Sequence, residues 1–336
     1  MKRVLTLLLL LLAPVASCYA CNIPVFRYAL ERWQPDVCNL IVFHDKPLSA
    51  ADRKVIQQWD AAGVDRDGKS NIKVTRCLIT AGGDSGQANP ANSDHLELLD
   101  SLRRLGPITF PYVAVQTTHG RGPAMNNWHG TLDQAIQAGL MQSPVRKELS
   151  RRLLAGHSVV WLLLTSKDEA SNEAAEKLLA QSFTSLQDKV ELPEGIGLPG
   201  SELHSEVPLL LKYSMLQVRL DDSREQYLID LLQGVRPEAV AAGQPLLVPV
   251  FGRGRILEVI PADEADLRLL EDLTRFLCGA CSCQVKEQNP GFDLLITADW
   301  DTTLFGKDGP RPPPARSSGP RSGSPVLLTI PPGRAK

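Results

Sequence analysis

Gln244-Pro-Leu-Leu-Val-Pro-Val-Phe-Gly252-Arg-Gly-Arg255-Ile-Leu-Glu-Val-Ile260 contains an apolar run introduced by a proline, a turn carrying two glycines, and a second apolar run. Short runs of this kind on either side of a glycine turn predict a β-hairpin, with strands over residues 246–251 and 255–260. Leu267, Leu270, Leu273 and Leu277 follow at helical spacing and predict a helix over 262–277.

Upstream of the hairpin the pattern predicts a strand over 158–164, a helix over 168–185, a loose Gly/Pro/Glu loop near 192–206, a strand over 213–220 and a helix over 223–232. The same order occurs earlier in the chain. It runs strand 39–43, helix 49–62, strand 72–79, helix 93–105, strand 111–116, a turn at Gly120-Arg-Gly122, a second hairpin strand, and helix 131–140. Ser49 with Asp52, and Thr131 with Gln134, have capping-box spacing. Ser143 and Pro144 open a connecting helix with Val145, Leu149 and Leu153 facing inward. Two passes of βαβαββα predict an α/β protein with two mixed sheets covered by helices. Pro111 and Pro245 take the same place in the two passes, each just before an apolar strand.

This pattern over residues 39–277 resembles a tandem thioredoxin-like fold, in which a proline at that place borders a substrate groove and is cis. The resemblance implies grooves beside Pro111 and Pro245. It also carries a test, because a redox-active member has Cys-x-x-Cys directly after its first strand. Here those positions read His44-Asp-Lys-Pro47 and Thr165-Ser-Lys-Asp168, so no catalytic cysteine carries over.

The chain has 336 residues, 43% hydrophobic and 22% charged, with a net charge of −2 and a pI near 6.3. This is globular composition for two domains, without the basic footprint of nucleic-acid binding. Residues 1–20 read as a secretory signal: Lys2 and Arg3, a leucine run, then small residues. Two cleavage sites compete. Val15-Ala-Ser-Cys18 resembles the bacterial lipobox, with Cys18 as the lipidated residue, and Cys18-Tyr-Ala20 fits ordinary signal peptidase. The expected location is therefore exported, as a periplasmic or cell-envelope bacterial lipoprotein. The expected units are 21–142, with an N-terminal helix; 143–305, with a Cys-rich extension and a strand over 292–297; and a disordered Pro/Gly/Arg/Ser-rich tail over 306–336.

Cys21, Cys38, Cys77, Cys278, Cys281 and Cys283 lie beyond Cys18. An even set in an oxidising compartment points first to disulfides. Cys278-Gly-Ala-Cys281 also has redox spacing, but it follows a helix C-terminus, where carbonyl ends disfavour thiolate. With Cys283 it could instead hold a soft metal. His119, His129, Asp299 and Asp301 read as satisfied surface or turn residues. Gly252-Arg-Gly-Arg255 joins two strands rather than opening a helix, so no phosphate loop and no cofactor are expected.

Two runs, Ala20-Cys-Asn-Ile-Pro-Val-Phe-Arg-Tyr-Ala-Leu-Glu-Arg-Trp33 and Cys281-Ser-Cys-Gln-Val-Lys-Glu-Gln-Asn-Pro-Gly-Phe-Asp-Leu-Leu295, resemble a group of exported bacterial proteins of unassigned activity. That resemblance implies that the two ends of the folded region form one surface, with Cys21 paired to a member of the 278–283 cluster. The reading that best combines these features is a non-catalytic binding or scaffolding protein with a protein or peptide partner. The alternatives are a thiol–disulfide oxidoreductase using Cys278 and Cys281, or a soft-metal carrier.

Overall fold

A computed structural model describes residues 22–79, 93–118, 124–281, 286, 289–307, 309 and 311–312. Residues 1–21, which carry the expected signal together with Cys18 and Cys21, His119, the expected turn at Gly120–Gly122, Cys283 and nearly all of the expected tail lie outside them.

The first sheet holds β1 (Cys38–His44), β2 (Ile72–Leu78), β3 (Tyr112–Thr118) and β4 (Ala124–Thr131) in the order β2-β1-β3-β4. β1 and β2 are parallel, while β3 runs antiparallel to both β1 and β4. Alternation along β1 separates its two faces. Leu40 and Val42 pack with Ile56 and Trp59 of α2 (Ala50–Ala62) and with Leu132 and Ala135 of α4 (Leu132–Gln137). Ile41 and Phe43 pack with Leu98, Leu99 and Leu102 of α3 (Ser93–Leu105). The helix starts follow the sequence signals. Ser49 Oγ accepts from Asp52 N, and Thr131 and Gln134 complete a reciprocal capping box.

α5 (Pro144–Leu154) leads to the second sheet. Its strands are β5 (Val159–Leu164), β6 (Tyr213–Val218), β7 (Leu246–Phe251), β8 (Arg255–Ile256) and β10 (Phe292–Asp293) in the order β10-β8-β7-β5-β6, with β9 (Ile260–Pro261) also on β7. Parallel β5–β6 and antiparallel β5–β7 and β7–β8 repeat the first sheet's plan. The molecule is thus α/β with two mixed sheets covered by helices, compatible with a tandem thioredoxin-like fold. One face of the second sheet meets α6 (Glu169–Gln187) and α9 (Leu267–Cys278), the latter starting at its Asp266 cap rather than at 262. The other face meets α5, α7 (Gln226–Val235) and α10 (Trp300–Phe305). The short helix α8 (Pro237–Ala241) and α10 are additional to the expected elements.

Three expectations are corrected. Residues 255–260 are not one strand, because the register on β7 slips by one residue between β8 and β9. Leu257 N donates to the carbonyl of Pro249 (3.0 Å), but Pro249 has no N–H to return on that edge, and the ladder breaks there. Residues 292–297 pair as a strand only over Phe292–Asp293, because the next backbone groups are taken by side chains of other segments. Asn71 Nδ2 donates to Leu294 O (3.1 Å), Asn71 Oδ1 accepts from Ile296 N (3.0 Å), and Arg146 donates to Leu295 O. This stitch joins the two sheets. Finally, helix α1 (Val25–Arg32), expected with the first unit, packs Val25, Phe26 and Ala29 against Trp161, Leu163 and Phe251 of the second sheet.

α1 is buried on its polar face as well. Arg27 and Glu31 are each 1% exposed and form an ion pair of 2.7 Å. Arg27 also donates to Ser205 O (2.6 Å) and Val207 O (2.7 Å), while Glu31 accepts from His204 N and Ser205 N. The pair therefore straps the irregular loop after α6 over the helix.

Candidate functional site

The four cysteines among the described residues lie inside the protein. Cys38, Cys77, Cys278 and Cys281 are buried, and no disulfide joins any two of them. Cys278 ends α9 in the core of the second sheet, where burial pushes its thiol from 9.0 up to about 12; Tyr213 Oη lies 3.8 Å away. Such a thiol is a poor nucleophile, because thiolate is the reactive form. Among the described residues no three His, Cys, Asp or Glu side chains gather as a metal set. Cys283 and Cys21 lie outside the described residues, so the trio with Cys283 and the pairing with Cys21 have no geometry here.

The backbone beside those cysteines does bring the two ends together. Pro24 bridges Ala280 in antiparallel fashion, Val25 N donates to Gly279 O (3.0 Å), and Cys281 N donates to Ile23 O (2.9 Å). Further along, Lys286 Nζ meets Asp36 Oδ1 at 2.8 Å and also pairs with Asp293, which accepts from Arg255 at 3.3 Å. Burial alone would raise the Asp293 pKa, but Lys286 and Arg255 hold it below the usual carboxylate range.

The positions where a redox motif would stand are closed by local bonds. His44 Nδ1 is 2.8 Å from Lys46 O, Asn172 Oδ1 accepts from Ser166 N at 2.8 Å, and Asp168 caps α6 through Ala170 N.

The two prolines are equivalent in bonding and different in setting. Pro111 O accepts from Leu132 N and Pro245 O accepts from Ala262 N, both at 2.9 Å. Pro111 is half-buried and its peptide bond is cis. Pro245 is buried and its bond is trans. The helix that contributes Leu132 N, α4, lines one wall of a cleft of about 320 Å³ formed by Trp128, His129, Gln134, Gln137, Ala138, Ser223, Gln226 and Asp230. It opens where the edge strand β4 faces α7 of the second half. Trp128 Nε1 donates to Asp230 Oδ2 (3.1 Å) across that seam, and Gln226 Nε2 donates to Asp230 Oδ1 (2.7 Å). His129 Nδ1 sits 2.8 Å from the hydroxyl of Tyr112, the residue after Pro111. Arg146 fastens the seam from below, bonding the carbonyls of Gly139, Leu140 and Leu295 with its guanidinium over Tyr227.

Sequence reasoning did not find Asp230 or Trp128, which are far apart in the chain and carry no motif. It also missed Cys77 with His95, whose Sγ and Nδ1 lie 3.3 Å apart. Burial pushes the Cys77 thiol up to about 11, which argues for a packed pair over a reactive one. Asp299 caps α10 and Asp301 pairs with Arg253 at 2.7 Å, so both are satisfied as expected. No protein-family model matches the chain, and neither the curated proteins nor the solved structures give a significant match.

Proposed function

We propose that the chain is a non-catalytic binding or scaffolding module of two thioredoxin-like units, exported and held at the bacterial cell envelope through a lipid on Cys18. The observation that carries this reading is the open cleft at the seam between β4 and α7, set against the buried thiols of Cys38, Cys77 and Cys278, which burial holds in the protonated form. Ligand sites favour such junctions between structural units. An oxidoreductase needs an exposed, acidic thiol; Cys278 and Cys281 are both buried, and burial pushes the Cys278 thiol up to about 12.

The purified protein is expected to leave the rate of insulin reduction by dithiothreitol at background, with the buried Cys38, Cys77 and Cys278 slow to react until the chain is unfolded. Robust turnover that disappears in Cys281→Ser would overturn the proposal. The mass of the mature chain without reductant tests the anchor: an acylated Cys18 start supports it, and an unmodified Cys21 start removes it.

A further inference from the structure

We infer that the cleft between β4, α4 and α7 binds a neutral polyhydroxylated ligand, a stretch of saccharide. This rests on the binding reading above and names the ligand of that same site. Its centre is the Asp230 carboxylate, whose two oxygens each accept one bond, from Trp128 Nε1 at 3.1 Å and Gln226 Nε2 at 2.7 Å. Each oxygen keeps further lone-pair capacity toward the cleft. A carboxylate oriented in this way, with no cation on it, is arranged to accept from two neighbouring hydroxyls.

The other lining groups offer both polarities. Gln134 Oε1 accepts from Thr131 N (2.8 Å) in the capping box, which leaves its amide nitrogen to donate. Gln226 uses its nitrogen on Asp230 and keeps its oxygen as an acceptor. His129 engages Tyr112 through Nδ1, leaving Nε2 for the cleft. Ser223 and Gln137 are exposed at the rim.

Among the described residues no Lys or Arg lines the cleft, so an anion has nothing to pair with there, and a single carboxylate is too few ligands for a metal ion. Ala138 and Trp128, the latter 8% exposed, supply apolar lining beside the polar groups, a surface suited to the C–H face of a sugar. Hydroxyl groups both donate and accept, which this mixture requires. A volume of about 320 Å³ suits one or two rings, at the low end of small-molecule sites, roughly 300–1,000 Å³. The capping box and the Trp128–Asp230 bond hold these groups in place before binding, which reduces the ordering cost.

The test follows the Trp128 indole N–H in nitrogen–proton spectra of the full chain. The probes are cellobiose, N,N′-diacetylchitobiose, a neutral acetylated tetrapeptide amide and inorganic phosphate. A disaccharide is expected to move that resonance, with affinity falling about ten- to a hundredfold in Asp230→Asn. Gln137→Ala, at an exposed rim position that leaves the fold intact, is expected to weaken it about threefold to tenfold. Saccharide shifts unchanged in both variants would place binding elsewhere and overturn the inference. Shifts from the peptide or phosphate alone would overturn the ligand class while leaving a binding cleft. Silence from every probe with a native spectrum would remove the cleft as a site, and the binding reading with it.

Discussion

The two sheets share a strand plan and differ in what covers them. In the first, the hairpin strand β4 stays at an edge, Asn127 bulges out of register, and the cleft beside α4 is open. In the second, the matching hairpin is covered by the chain's own start. Gly252 lies so close to α1 that an added Cβ would come within 2.8 Å of the Ala29 Cβ, and Arg253 donates to Leu30 O at 2.8 Å. β10 then extends the sheet beyond β8. One architecture thus serves two ends: the second half uses its surface to bind the rest of its own chain, and the first leaves surface available to another molecule.

The largest expected effect follows from the strap on α1. Arg27→Ala leaves Glu31 buried without its cation, and breaking a buried pair costs about 3–5 kcal/mol. Urea unfolding should show that loss in the midpoint with little change in slope. A loss below about 1 kcal/mol would mean that the second half is not held by this helix.

The hairpin gives a paired test of intermediate size. Gly252→Ala meets both a left-handed backbone (φ 58°) and the crowding from Ala29, and should cost about 2 kcal/mol. Gly68→Ala in the first half has a similar φ of 64° with open space around it. It should cost about half as much, through the backbone term alone. Equal melting-temperature shifts would break the contrast between a covered and an open half.

The smallest effect concerns pH. Burial raises the Cys278 pKa from 9.0 to about 12, so the folded state holds its proton where the unfolded state has lost it. Stability from this group is intact below pH 9 and lost as pH rises through the window from 9 to 12. Between neutral pH and one unit above the ordinary thiol value the loss is about 1.4 kcal/mol. It should be absent from Cys278→Ala and therefore appear in the difference between wild type and that variant. An unchanged alkaline slope in that variant would mean that the thiol is more open than the structure shows.

Much of this architecture was readable from local chemistry. The caps at Ser49, Thr131, Ser143 and Asp168, and the alternation that sets Leu40 and Val42 against Ile41 and Phe43, act within a few residues of themselves. What escaped depends on distant partners. Residues 294–296 are as apolar as a strand, yet Asn71 and Arg146 take their backbone groups. α1 has an amphipathic pattern, but its buried Arg27 and Glu31 are matched by a loop more than 170 residues on. The break near 257 was legible in principle, since Pro249 lies in plain view within β7, and was overridden by the apolar run. The candidate cleft was the least readable part, because His129 and Gln134 meet Asp230 only after two halves of the chain have folded against each other.

The antiparallel bridge between Pro24 and Ala280 has a mechanical consequence. Residues 22 and 281 lie at the same end of this pairing, so a pull on those two points loads the bridge one hydrogen bond at a time, as a zipper opens, rather than all at once in shear.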